Sequence, residues 1–164
     1  MSVYDSHRGE SGVRYVDLAW EIYDHTKSSC RRLPKRWDRY GLLSMVDLAD
    51  KLQRYCVAAN STYPTNQHEA QGRRDCLIKA NEVLQDLNVM VGHLARDIKK
   101  ARDLQTRELP EKLTREKTEA MLQKWGELIA EEAEKISAVK KANAQQFKKL
   151  PPGPAGMPPM EIDL

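Results

Sequence analysis

The chain has 164 residues, of which 40% are hydrophobic and 31% are charged, and its formal net charge is +3. This length suits a single domain of a soluble helical protein; no stretch approaches the roughly 20 apolar residues of a membrane span, and the polar start MSVYDSHRGESG does not have the pattern of a secretory signal. We therefore expect a cytoplasmic protein with no membrane association, in which local clusters of charge are more informative than the small net charge.

The first predicted element is an amphipathic helix that follows a short polar arm. Residues 1–12 show no apolar periodicity and include two glycines, so we expect a flexible arm. From about residue 13 to residue 30, apolar side chains recur every three or four positions, which is typical of a helix with one buried face. Pro34 disfavours helical backbone at Leu33 and ends this helix.

A first basic segment, residues 31–39, connects this helix to the next. It carries five cations against the single acid Asp38, and Trp37 lies among them with Tyr40 directly after. Aromatic side chains between cations can stack on bases while the cations hold phosphates. The alternative is that Leu33 and Trp37 plug the end of a helical core, and we favour this role for those two side chains.

Two further helices are predicted on either side of a tight turn. The second helix runs from about residue 42 to residue 63 and is stopped by Pro64. Asn66 in the turn is a suitable N-cap for the third helix, which centres on residues 69–100. Its apolar positions follow heptad spacing, and Val83 and similar neighbours widen the stripe. Such a broad stripe predicts the interior of a helical bundle rather than a two-stranded coiled coil.

A second basic segment, residues 96–107, covers the end of the third helix and the residues after it, and has five cations against two aspartates. Pro110 then breaks the helix, and Thr114 is the predicted N-cap of a fourth helix from about residue 115 to residue 146. Glu132 interrupts the apolar stripe of that helix. A partner on a neighbouring helix or subunit, or a solvated groove, would explain it, but we favour a shift of the stripe to Ala133.

The last part of the chain, residues 148–164, is rich in proline and glycine, and we expect it to be a disordered or extended tail. It ends in MEIDL, which mixes acidic and apolar residues and is either a short linear motif or a solubilising end. The predicted organisation is therefore an arm (1–12), a four-helix bundle (13–147) and a tail (148–164).

Four helices with short connections predict an all-α, up-down-up-down four-helix bundle. In that topology both basic segments meet at one end of the bundle, where they either bind phosphates without sequence preference or form a solvated surface. Two further arginines lie towards the other end. The candidate nucleic-acid-binding residues are Arg31, Arg32, Lys35, Arg36, Arg39, Arg73, Arg74, Lys99, Lys100 and Arg102.

The sequence contains no catalytic or metal-binding motif. The four histidines have no metal-ligand spacing to a cysteine or carboxylate, and there is no Glu-x-x-His pair and no glycine-rich phosphate loop. The three cysteines each fit an apolar helical position and are interpreted as small buried side chains. We expect a protein that is not an enzyme and that needs neither a cofactor nor a metal.

Several stretches carry a resemblance to a known family. They are the proline turn LPKRW, the run YGLLSMVDLADKLQRYCVAANSTYP, the stretch LIKANEVLQDLNVMVGHLARDIK and the helix start LTREKTEAM. With these, residues 13–146 resemble the four-helix-bundle family of the accessory variability determinant of diversity-generating retroelements and of the proteins encoded by ribosomal-RNA intervening sequences. The long last helix and the proline-rich tail depart from the short members of that family.

The resemblance implies a ring of five bundles, a homopentamer with a basic surface. In the retroelement branch such a ring binds RNA or DNA and associates with a reverse transcriptase, which needs it for mutagenic copying of a template RNA. The intervening-sequence branch has no clear activity, so the alternative is a protein-interaction scaffold without a nucleic-acid role. From the residues themselves, outward apolar side chains at Leu43, Val57, Ile78 and Val89 suggest an interface between copies.

Overall fold

A computed structural model of the chain describes residues 13–104 and 109–154, and within those ranges it is helical with no strand. The helices are α1 (Arg14–Arg31), α2 (Leu42–Ser61), α3 (Gln67–Asp103) and α4 (Arg115–Gln146), with a short 3-10 helix, Lys35–Tyr40, between α1 and α2. This confirms the all-α class. The predicted arm and the MEIDL end lie outside the described residues.

Each long helix packs against two others: α1 and α3 both lie against α2 and α4, which gives a bundle-like fold. Side-chain contacts join two of these helix pairs. On α1 and α4, Arg14 pairs with Glu131 at 3.0 Å, while the Trp125 indole donates to the Thr26 hydroxyl at 2.9 Å. On α2 and α3, Arg73 near the start of α3 reaches the last turn of α2.

The core forms where the apolar stripes of the four helices meet. The heptad positions of α3 are all buried, and α3 supplies more buried side chains than any other helix, although α2 buries a larger share of its length. Both predicted N-caps are present: Asn66 Oδ1 accepts from the Glu69 amide at 2.9 Å, and Thr114 Oγ1 accepts from the Lys117 amide at 3.2 Å. Side-chain caps of this kind satisfy backbone donors that the first turn leaves open.

The favoured shift of the α4 stripe to Ala133 is wrong. Glu132 is fully buried, and the Cys56 thiol of α2 lies 3.9 Å from its Oε1 atom. Oε2 has no hydrogen-bond partner. Glu132 therefore interrupts the apolar stripe because it has a partner on a neighbouring helix, which was the other explanation considered.

The connection between α1 and α2 is held in place by its apolar side chains. Leu33 and Trp37 are buried, as predicted for a plug at the end of the core. Gly41 ends the 3-10 helix with a φ of 111°, a conformation that favours glycine. A Cβ at this position would also collide with the methyl group of Met90 on α3. The buried side chains of Leu33 and Trp37 thus hold the first basic segment at the end of the core.

The end of α4 turns back towards the start of α3. The Gln67 backbone amide donates to the Pro151 carbonyl at 2.7 Å, and its side-chain amide donates to the carbonyls of Phe147 at 2.8 Å and Leu150 at 3.0 Å. The sequence predicted a disordered or extended tail from residue 148. Its first residues lie against the start of α3, where Gln67 donates to the carbonyls of Leu150 and Pro151.

Within the described residues, no helix is both long enough and apolar enough to cross a membrane.

Candidate nucleic-acid interface

Two basic grooves lie at the end of the bundle where α1 and α3 finish and α4 begins. The first basic groove has a volume of about 660 Å³ and runs between the end of α1 and the start of α4. Its cationic side chains come from three places in the chain, and no carboxylate lines it among the described residues. These cations are Arg32, Lys112, Lys117 and Lys124.

His25 forms the inner wall of the first basic groove. Its Nε2 atom donates to the Met121 carbonyl at 2.9 Å, and its ring packs edge-on against Trp125 with 5.0 Å between centroids. Burial lowers the pKa of His25, and the positive charges of Lys124 and Arg32 lower it further. The histidine is therefore in the positive field of those two cations, which an incoming polyanion would reduce.

The second basic groove, about 710 Å³ in volume, lies between the 3-10 helix and the end of α3. Tyr40 lines it from one side, with 56% of its surface exposed. Arg96, Lys99 and Lys100 line it from α3, together with two aspartates. An exposed aromatic ring beside cations is the arrangement that stacks on unpaired bases while phosphates are held.

Most of the predicted residues lie around these grooves and are exposed. Arg32 lines the first groove, Lys99 and Lys100 line the second, and the 3-10 helix lies beside Tyr40. The exposed members of the predicted set at this end of the bundle are Arg31, Arg32, Lys35, Arg36, Arg39, Lys99 and Lys100.

The other three predicted residues are placed differently. Arg102 is used within the fold, because its Nη2 donates to the Thr118 hydroxyl at 2.9 Å and so joins the end of α3 to the start of α4. Arg73 lies at the opposite end, where its Nη1 donates to the carbonyls of Ala59 at 2.9 Å and Thr62 at 3.1 Å. It thereby satisfies carbonyls at the end of α2. Arg74 is exposed at that same distant end.

Sequence reasoning missed the cations that α4 and the turn before it contribute, Lys112, Lys117 and Lys124. Lys117 and Lys124 are seven residues apart, a spacing that puts them on one face of a helix. This spacing could be recognised in the sequence, but it indicates a groove only once α1 is known to pack beside α4. The described residues contain no group of three metal-ligating side chains.

Comparisons with models of known protein families, with curated proteins and with solved structures find no match to this chain.

Proposed function

We propose that this chain is a non-enzymatic, nucleic-acid-binding accessory subunit of a reverse transcriptase in a diversity-generating retroelement, where it supports mutagenic copying of template RNA. It acts in the cytoplasm as an up-down-up-down four-helix bundle. The observation that carries the binding role is the pair of basic grooves that flank the first basic segment, with Tyr40 exposed in the second. The reverse-transcriptase partner rests on the family resemblance described above.

The distribution of charge in the grooves favours a polyanion as the ligand rather than a small acid. Their cations are spread along two grooves rather than focused on one point, so they match a chain of phosphates. The five cations of the first basic segment are exposed, and the buried side chains of Leu33 and Trp37 hold the segment at the end of the core. Binding then needs little ordering of the backbone, which lowers its entropic cost.

The test compares binding of labelled single-stranded RNA and of duplex DNA by the intact chain and by paired variants. Lys117→Gln with Lys124→Gln neutralises the first groove, and Lys99→Gln with Lys100→Gln neutralises the second. Lys141→Gln with Lys149→Gln is the matched control, since both lysines are exposed near the far end of α4. The proposal requires both groove pairs to weaken binding and the control to leave it unchanged. Equal losses from all three would contradict a defined interface.

The accessory role is tested separately. A reverse transcriptase gene beside a template repeat, and copurification of that enzyme with this chain, are the expected results. If the chain binds nucleic acid but has no reverse transcriptase gene beside it and does not copurify with that enzyme, the grooves remain a nucleic-acid interface and the retroelement role is rejected.

The second candidate function is a protein-interaction scaffold with no nucleic-acid role. The observation that favours it is the exposure of apolar side chains on α2 and α3: Leu43 is 65% exposed and Val89 is 55% exposed. An intact chain that binds neither RNA nor DNA at low salt, yet forms a defined complex with another protein, would favour this function.

A further inference from the structure

A small pocket lies at the end of the bundle opposite the basic grooves, between the start of α3 and the end of α4. Its volume is about 150 Å³. The walls include the apolar side chains of Leu77 and Phe147, and three cations, Arg74, Lys140 and Lys148, also line it. None of the described residues that line it is acidic. The pocket therefore combines an apolar wall with a surplus of positive charge.

One polar group in the pocket has no partner. Asn143 lines the pocket, and its Nδ2 atom is buried without a hydrogen bond. The other amides nearby are occupied: Gln71 donates to Asp75 at 2.7 Å, and Gln67 donates to the carbonyls after α4. A buried donor without an acceptor costs about 1–3 kcal/mol. Asn143 therefore supplies a donor that the fold leaves unpaired, in a pocket that three cations line.

The chain itself returns to this pocket after α4. Phe147 and Lys148 form part of the lining, and the following residues run along the start of α3 as far as Pro154. Gly153 lies so close to His68 that a Cβ would come within 2.6 Å of the His68 Cβ. The described residues thus end beside the first turn of α3, next to the pocket.

We propose that this pocket binds the acidic end of the chain's own tail, the MEIDL segment. A carboxylate of Glu161 or Asp163 accepts the hydrogen bond from Asn143 Nδ2 and faces Arg74 and Lys140. Apolar neighbours in the segment pack against Phe147. The proposal goes beyond the proposed function and is independent of it, because it concerns the opposite end of the bundle.

Chain length allows this contact. Glu161 is seven residues beyond Pro154, so an extended connection reaches up to about 23 Å. The pocket extends along α3 from Gln67 to Leu77, a distance of about 15 Å at the rise of an α-helix. The alternating apolar and acidic residues of the segment match the apolar wall and the cationic rim. A covalently attached segment also binds at an effective concentration of about 1 mM, so modest affinity suffices.

The test uses the full chain and records NMR signals of the Asn143 side-chain amide. Glu161→Gln with Asp163→Asn should shift that signal and the backbone signals of Lys140 and Arg74. The matched control, Glu82→Gln with Asp86→Asn, removes two exposed carboxylates from α3 and should leave the Asn143 signal in place. An Asn143 signal that does not respond to the tail substitutions would overturn the proposal.

A second measurement identifies the occupant. A labelled peptide of residues 155–164 should bind the full chain that carries the two tail substitutions, and Arg74→Gln with Lys140→Gln added to that chain should abolish binding. The unmodified chain should bind the peptide more weakly, because its own tail competes. If the peptide binds equally well to chains with and without an acidic tail, the contact with the chain's own tail is contradicted. Asn143 signal shifts that grow with protein concentration would also contradict an intramolecular contact, and would show that the pocket binds the tail of a second copy.

Discussion

The thiol of Cys56 on α2 lies 3.9 Å from Oε1 of Glu132 on α4, and both side chains are fully buried. The Tyr15 hydroxyl and Glu132 Oε2 are buried without hydrogen-bond partners. Burial raises the pKa of Glu132 to about 9, and the pKa of Cys56 is also raised well above its usual value by burial. At neutral pH the core therefore holds a protonated carboxyl beside a neutral thiol.

This protonated carboxyl predicts a pH-dependent stability. Between the ordinary glutamate pKa and about pH 9, Glu132 is ionised in the unfolded chain and neutral in the native one. The native state then binds more protons, so the free energy of unfolding falls as pH rises, by about 1.4 kcal/mol per pH unit from this group. Denaturant melts at several pH values across this range should show the fall.

Glu132→Gln is the variant that isolates this effect, since an amide of the same shape does not ionise. It should flatten the pH dependence and gain stability relative to the native chain as pH rises. Glu134→Gln, at an exposed position on the same helix, should leave the dependence unchanged. If native and Glu132→Gln curves run parallel over the whole range, the carboxyl is ionised in the fold and the account of it is wrong.

Arg73 is predicted to stabilise the fold rather than to bind nucleic acid. Arg73→Gln removes the donors that reach the Ala59 and Thr62 carbonyls, which should cost about 1–3 kcal/mol in the free energy of unfolding. Arg74→Gln, at the exposed neighbouring position, should cost much less. Nucleic-acid affinity, measured where both variants are folded, should match the native value; a selective loss for Arg73→Gln would contradict this.

His25 is a reporter for the first basic groove. Phosphates bound near Lys124 and Arg32 would offset the positive charges that lower its pKa. We therefore expect NMR titration of His25 to give a higher pKa in the presence of a short oligonucleotide than in its absence. A His25 pKa that the oligonucleotide leaves unchanged would exclude the first groove from the interface.

The homopentamer that the family resemblance implies predicts an effect at the exposed apolar residues of α2 and α3. Light scattering of the native chain at micromolar concentration should give about five times the chain mass of 18.8 kDa. Leu43→Glu with Val89→Glu places charges where copies would meet and should reduce that mass, because a buried unpaired charge is costly. A monomer mass for the native chain would reject the ring.

Local sequence signals predicted the helices well. Proline positions, the caps at Asn66 and Thr114 and the apolar spacing of α3 gave element bounds within a few residues, because each acts within one or two helical turns. Glu132 was misjudged because its partner, Cys56, lies on another helix, and periodicity contains no information about it. The first basic groove was only partly predicted for the same reason, since Lys117 and Lys124 join Arg32 only through the packing of α4 against α1.

The most direct test of the nucleic-acid role is the salt dependence of binding. For the native chain, a plot of log affinity against log salt should be steep, with a slope of about −0.7 to −0.9 for each phosphate neutralised. Replacing Lys99, Lys100, Lys117 and Lys124 by Gln should make the slope shallower and weaken binding across all sequences alike, while the fold is retained. A native slope near zero, or a slope that the four substitutions leave unchanged, would contradict the account.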